Sequence, residues 1–306
     1  MGQIENDTVL PVFTPAFEVM SPEEITTPLV FNSPHSGRTY PAEFIASSRL
    51  DAHRIRLSED CFVDRIFEDV PAIGAPLLKA HFPRAYIDLN REPYELDPSM
   101  FSDALPPFVN TRSLRVAGGL GTIARVVKEN DEIYRDLLSF NEAKARISTL
   151  YYPYHKQLGE LVKSSHRLFD SNLLIDCHSM PSSRSEFSTL KKSRYGKRPD
   201  FVLGDRFGRT CRHNVTEFLE HKLTKLGYSV VRNKPYAGGF ITQKYGTPHT
   251  NQHSIQIEIN RALYMDEDAL ELNSGFEELK GNLMLVMEKL SGLTIDLLTA
   301  PRLAAE

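Results

Sequence analysis

Cysteine is scarce: Cys61, Cys177 and Cys211 are the only three in 306 residues, far apart and without a CxxC pair. That pattern excludes a disulfide framework and a cysteine zinc cluster, and it predicts reduced thiols. Long apolar runs are also missing, since nothing approaches the roughly 20 residues a membrane span needs. The opening MGQIENDTVLPVFTP has no apolar centre for a signal peptide and no Ser or Thr where myristoylation expects one. Charge of one sign is not in excess: 36 Lys and Arg against 40 Asp and Glu leave a net charge of -4. This balance argues against nucleic acid or an anionic membrane as partner. Lys191, Lys192, Arg194, Lys197 and Arg198 form the one basic stretch and read as a solvated loop. No GxSxG elbow and no HExxH helix is present, and GGLG in AGGLGTIAR lacks the spacing of a phosphate loop. What these absences leave is a soluble, cytoplasmic protein.

What is present is an alternation of short apolar runs and longer helical patterns, the signature of an α/β sheet. Strands are expected at 29–34, 75–82, 85–90, 172–179, 200–205, 228–233 and 254–260. Several are apolar almost throughout, as in strands covered on both faces. Helical spacing runs over 130–168, where Pro153 predicts a kink or break, over 208–226 up to Gly227, and over 270–291, ending near Gly292. The fold class is therefore α/β, with a mixed, largely parallel twisted sheet sandwiched between helices. One domain is expected over 1–306, with 1–25 as a peripheral extension and 293–306 as a tail. No feature specifies an oligomeric state.

Chemically capable residues cluster at the C-terminal ends of the expected strands, where open α/β sheets bind ligands. VFNSPHSGRTYP ends a strand on His35, and NLLIDCHSMP ends one on Asp176, His178 and Ser179. Two imidazoles at two strand ends point to a shared zinc, which in a catalytic site takes three protein ligands and leaves one position open. LSEDCFVDRIF offers Asp60 as the third ligand, with Glu59 and Asp64 as alternatives. Asp176, two residues before His178, is placed to orient an imidazole or to pair with a buried arginine. In FPRAYIDLNRE, Tyr86, Asp88 and Asn90 share one face of the expected strand, and Arg84 and Arg91 flank it. Guanidinium groups there suit a carboxylate ligand, or salt bridges to Asp88 or Glu92. In SIQIEIN, Glu258 faces away from Ile255 and Ile257. A carboxylate inside a strand needs a partner or a task, and burial would raise its pKa towards that of a general base. Together these are the parts of metal-assisted amide hydrolysis.

Six segments in order, NSPHSGRTYP, PRAYIDLNREPYELDP, LLIDCHSMP, DFVLGDRFGRTC, PYAGGFITQKYGTP and IEINRALYMDE, resemble those of the N-formylglutamate amidohydrolases. The resemblance spans about residues 28 to 268. It implies a zinc carboxypeptidase-like fold with an eight-stranded mixed sheet. It also implies hydrolysis of N-formyl-L-glutamate to formate and L-glutamate, the last step of one histidine-degradation route. By the same likeness His35 and His178 hold Zn2+ or another divalent metal, and Glu258 is the general base. Asn90 with Arg91 clamp the substrate α-carboxylate. Arg84 polarises the carbonyl or holds the second carboxylate, and Tyr236 or Tyr245, on a glycine-hinged loop, is a donor or packs structurally. The sequence departs from the carboxypeptidase HxxE pattern, because Ser-Gly-Arg follows His35. Asp60 is the expected replacement for that carboxylate. The partner is then a small acidic N-acyl amino acid; a deacylase or carboxypeptidase acting on another substrate, or a metal-free binding protein, are the alternatives.

Overall fold

The computed structural model describes residues 13–128, 131–182 and 198–299 of the chain. Most of the basic stretch, from Lys191 to Lys197, lies outside them, as do the first twelve residues and the last seven. Two compact units are present: Met1–Glu18, Gly37–Glu59 and Ala80–His155 form the first, and Val19–Ser36, Asp60–Lys79 and Lys156–Glu306 the second.

Seven strands build the main sheet: β1 (Phe17–Met20), β2 (Leu29–Ser33), β3 (Leu77–Ala80), β4 (Asn172–Met180), β5 (Phe201–Gly204), β6 (Val230–Arg232) and β7 (Gln252–Asn260). Their order is β1-β3-β2-β4-β7-β5-β6. β2 pairs in parallel with β3 and β4, β4 with β7, and β5 with β6, while β5 runs antiparallel to β7. The sheet is thus mixed and largely parallel. Every residue of β2, β4 and β5 is buried, which is why those runs are apolar on both faces rather than alternating. The short strands β8 (Met265–Asp266) and β9 (Glu271–Leu272) pair separately.

The main sheet has seven strands among the described residues, not eight, and the expected strand at 85–90 is a series of turns. Local bonds replace the ladder there: the Tyr86 and Ile87 amides donate to the Pro83 carbonyl, and Asp88 Oδ1 accepts from the Asn90 amide at 2.8 Å. A side chain that closes its own backbone turn competes directly with strand pairing.

Short helices α1 (Ala42–Ser47), α2 (Val63–Ile66), α3 (Leu114–Ala117) and α4 (Phe140–Arg146) come first along the chain. A π-helical turn, Ile147–Tyr151, then joins α4 to α5 (Tyr152–Phe169). Pro153 accounts for that turn, since it has no amide to donate and its ring crowds the preceding carbonyls; the helix adjusts its winding instead of breaking. In the first unit, Arg146 at the end of α4 lies over the Tyr86 ring at 4.0 Å and donates to Tyr134 Oη at 2.7 Å. The second unit adds α6 (His213–Lys225), α7 (Phe240–Tyr245) and α8 (Phe276–Thr299). Helices α2, α7 and α8 pack against β4. Gly227 follows α6 with φ 94°, the left-handed ending its sequence predicts. Helix α8 begins later than expected, because Glu271–Leu272 pair with β8, and it runs on through Gly292 to Leu298, which is fully buried. A helical glycine costs only about 1 kcal/mol relative to alanine, less than burying that leucine returns.

Candidate metal centre

Strand register brings the polar residues together. Asn32 of β2 is level with Asp176 of β4, Asp176 is level with Gln256 of β7, and His178 is level with Glu258. Level residues on parallel neighbours project from the same face. One sheet face therefore carries Asn32, Asp176, His178, Gln256 and Glu258, all of them buried.

His35 follows the end of β2 on the loop Pro34–Gly37. Its carbonyl accepts the Asp60 amide at 3.0 Å, and Ser36 Oγ accepts the Asp64 amide at 3.1 Å. These two bonds tie the loop to the segment that carries Asp60. As a result Asp60 Oδ2 lies 3.0 Å from His178 Nδ1 and 3.4 Å from His35 Nδ1. The two imidazole centroids are 4.9 Å apart. Asp60 Oδ1 turns the other way, 3.3 Å from both Ser179 Oγ and Arg261 Nη2. Behind His178, Nε2 meets Asp176 Oδ2 at 3.0 Å, and the other Asp176 oxygen accepts from Asn32 Nδ2 at 2.7 Å.

Among the described residues, His35, Asp60 and His178 form the group able to hold a metal ion, with donor atoms within 4.8 Å of one another. Donors about 2.0–2.1 Å from a tetrahedral ion are about 3.3 Å apart. The observed 3.0 and 3.4 Å edges match that spacing. Two imidazole nitrogens and one carboxylate oxygen are a donor set suited to a divalent ion. Neither Glu59 nor Asp64 belongs to that group; Glu59 accepts from Tyr40 Oη at 2.6 Å and from Arg56 at 2.9 and 3.2 Å. All three cysteines are buried and free of disulfides.

Charge is concentrated in this cradle. Burial opposes ionisation of Asp60, yet the hydrogen bonds from His178 and His35 hold its carboxyl well below the usual range. Burial likewise opposes charging of His178, but Asp176 and Asp60 on its two sides push it well above an ordinary histidine. A dication would satisfy the same carboxylates in place of that proton.

Beside the triad, Gln256 Nε2 donates to Glu258 Oε1 at 2.7 Å, and Gln256 Oε1 accepts from the Gly239 amide at 2.9 Å. The amide thus fixes which end of Gln256 faces the carboxylate. The loop carrying Gly239 comes close because β5 offers Gly204: a Cβ there would lie 2.7 Å from the Gly238 nitrogen. Tyr236, on that loop, is half-buried, and its phenol pKa is raised by burial and by Glu258, so it stays a donor at neutral pH. Within PYAGGFITQKYG, Phe240–Tyr245 form α7, with the Tyr245 side chain buried.

The first unit holds the other expected residues on its turn at 84–91. Arg84 reaches Asp88 Oδ2 through Nε at 3.2 Å and Nη2 at 3.1 Å, while Arg91 Nη2 is 3.5 Å from the same oxygen. Arg91 also donates to the carbonyls of Leu120 at 2.7 Å and Asn90 at 2.8 Å. Burial lowers its pKa to about 10, which leaves it cationic at neutral pH. The Asp88 salt bridges considered from sequence are thus present, but on a turn rather than on one strand face. Sequence reasoning gave Asn32, Gln256 and Arg261 no role, although Asn32 opens NSPHSGRTYP, Arg261 lies within IEINRALYMDE, and Gln256 is two residues before Glu258.

Comparison with known proteins matches the chain to N-formylglutamate hydrolases by sequence and fold. A family model described as N-formylglutamate amidohydrolase matches residues 27–265. The N-formylglutamate deformylase of Pseudomonas aeruginosa is 29% identical over 256 residues, covering 82% of this chain and 87% of the relative. That of Pseudomonas putida is 27% identical over 253 residues, with 82% and 86% covered. The crystal structure of N-formylglutamate amidohydrolase from Ralstonia eutropha superposes with a TM-score of 0.85 at 37% identity, covering 90% of this chain and 97% of the other.

Proposed function

The chain belongs to the N-formylglutamate amidohydrolase family, and we propose that it hydrolyses N-formyl-L-glutamate to formate and L-glutamate. The observation that carries this reading is the convergence of His35, Asp60 and His178 inside the matched segment, next to Glu258. These three residues would hold a divalent metal, zinc being the ion that suits two imidazoles and a carboxylate. Such an ion, when bound, polarises the scissile carbonyl and makes water a nucleophile near neutral pH.

The chain's own groups do the rest. Asp60 and Asp176 fix the orientation of His178 from its two sides. Glu258, buried and held by Gln256, takes the proton from the attacking water and passes it to the leaving amine. Tyr236 donates a hydrogen bond to the substrate. Asn90 and Arg91 bind the α-carboxylate, and Arg84 binds the second carboxylate or polarises the carbonyl. On this reading the whole chain acts as one hydrolase, in the cytoplasm, at the end of a histidine-degradation route. No helix among the described residues is long and apolar enough to cross a membrane.

The test is a substrate panel with purified, metal-loaded protein: N-formyl-, N-acetyl- and N-succinyl-glutamate, N-formyl-aspartate and a C-terminal dipeptide. The expected result is the highest kcat/KM for N-formylglutamate, with equimolar formate and glutamate released. A preference of tenfold or more for another acyl group would replace the substrate while keeping the metal hydrolase. Release of no amine from any member would reject hydrolysis.

A further inference from the structure

Asp60 has two oxygens, and a carboxylate beside a divalent ion can offer one or both. Only Oδ2 faces the imidazoles; Oδ1 is held 3.3 Å from Arg261 Nη2 and 3.3 Å from Ser179 Oγ. Arg261 is itself braced, because its Nε donates to Ser179 Oγ at 3.1 Å. It directly follows β7, where Asn260 Oδ1 accepts the Ala262 amide at 3.1 Å and so sets the turn Arg261–Leu263. Two neighbouring strands thus each supply one group toward the chemistry and one toward Asp60: His178 and Ser179 from β4, Glu258 and Arg261 at the end of β7. A guanidinium only 7% exposed is costly to bury unless its charge is used.

We propose that Arg261 is a positioning residue that fixes Asp60 as a one-oxygen metal ligand and so keeps the fourth direction open. The inference rests on reading His35, Asp60 and His178 as metal ligands. Two consequences follow from the charges. With Arg261 removed, Oδ1 is released to join Oδ2 on the ion, adding a donor. The ion also loses a neighbouring positive charge and becomes the main compensation for a buried carboxylate. Metal binding then becomes tighter while the open position is lost. A merely structural brace predicts the reverse, a loosened site that binds metal more weakly.

Co2+ is the probe, because its visible absorption is strong with four donors and weak with five or six. Metal-free full-length wild type, Arg261→Met, Arg261→Lys and Ser179→Ala are titrated with Co2+ against a competing chelator, and kcat and KM are measured on the loaded proteins. The expected result for Arg261→Met is roughly tenfold tighter Co2+ binding, from loss of the charge repulsion, with weaker visible absorption and a fall in kcat without a matching rise in KM. Arg261→Lys, which keeps the charge on Oδ1, restores the wild-type spectrum. Should Arg261→Met be insoluble, Ser179→Ala moves affinity and absorption the same way by a smaller factor. Unchanged or weaker Co2+ binding with an unchanged spectrum, in whichever of the two variants is soluble, would overturn the proposal. Wild type that binds no Co2+ would overturn the metal reading itself, and this inference with it.

Discussion

Asp176 Oδ2 lies 3.0 Å from His178 Nε2, on the ring edge opposite the one that meets Asp60. The carboxylate beside Nε2 favours a proton on that nitrogen, which leaves the Nδ1 lone pair for an ion. Asp176 is held in turn by Asn32, whose amide donates to Oδ1 at 2.7 Å. Carboxylates placed this way raise the basicity of a metal-binding imidazole. Asp176→Ala is therefore expected to weaken metal binding about 10- to 100-fold. Asp176→Asn, which can still accept from Nε2, should cost less. Competition titration with a chromophoric chelator measures both.

Asp60 and Glu59 are adjacent in sequence and differ in their partners. Asp60 faces His35 and His178, whereas Glu59 is bound by Tyr40 and Arg56. Asp60→Ala is expected to abolish stoichiometric metal binding. Glu59→Gln should keep it and lower only thermal stability, by about 1–3 kcal/mol for a buried charged hydrogen bond disturbed. Metal analysis after gel filtration, paired with a melting curve, separates the two variants.

Glu258 faces the same side as His178 but is not one of the three converging donors. Glu258→Gln is expected to retain the metal and its affinity within a few-fold. As the proton acceptor in the proposed reaction, Glu258 is expected to contribute roughly a thousandfold to turnover, about 4 kcal/mol of transition-state stabilisation. Near-normal turnover in that variant would move the base to another residue.

Much of this was legible in the sequence because it depends on local order. Leu29–Ser33 and Asn172–Met180 carry apolar runs, as strands buried on both faces do, and turn polar towards their ends, whereas Gln252–Asn260 alternates Ile255, Ile257 and Ile259 with Gln256, Glu258 and Asn260. The apolar runs predicted His35 and His178 at strand ends, and the alternation predicted Glu258 on the polar face of its strand. The turn at 84–91 was not legible: Tyr86, Asp88 and Asn90 alternate like a strand, but the Asp88 side chain captures the Asn90 amide and ends any ladder. Arg261 was not legible either. Its partner Asp60 is 201 positions away, and such a contact follows from strand order rather than from periodicity.

Gly37, in the loop after His35, owes its identity to a close approach and not to a left-handed backbone. A Cβ there would lie 2.1 Å from the Phe82 carbonyl oxygen and 2.6 Å from the His81 carbonyl carbon. Both contacts are backbone, so no side chain can swing aside to relieve them. Gly37→Ala should destabilise the protein by about 2–3 kcal/mol, the usual cost of overpacking a rigid site. Chemical denaturation at fixed metal concentration tests this, and a midpoint unchanged from wild type would contradict it.

His253, the second residue of β7, has both ring nitrogens buried without a hydrogen-bond partner among the described residues. Burial, reinforced by Arg212, lowers its pKa from 6.5 to about 4. Above pH 6.5 the ring is neutral in both folded and unfolded chains and contributes no pH dependence. Between pH 6.5 and about 4 the unfolded chain binds a proton that the folded one refuses, so stability falls by about 1.4 kcal/mol per pH unit. From pH 7 to pH 5 this one group should cost about 2 kcal/mol. His253→Leu, neutral at every pH and level with Leu173 of β4, is expected to remove that part of the acid sensitivity. Urea midpoints of the two proteins at pH 7 and pH 5 give the comparison: the gap between wild type and variant should shift in favour of the variant on acidification. A gap that stays constant would mean the folded protein protonates His253 as readily as the unfolded chain.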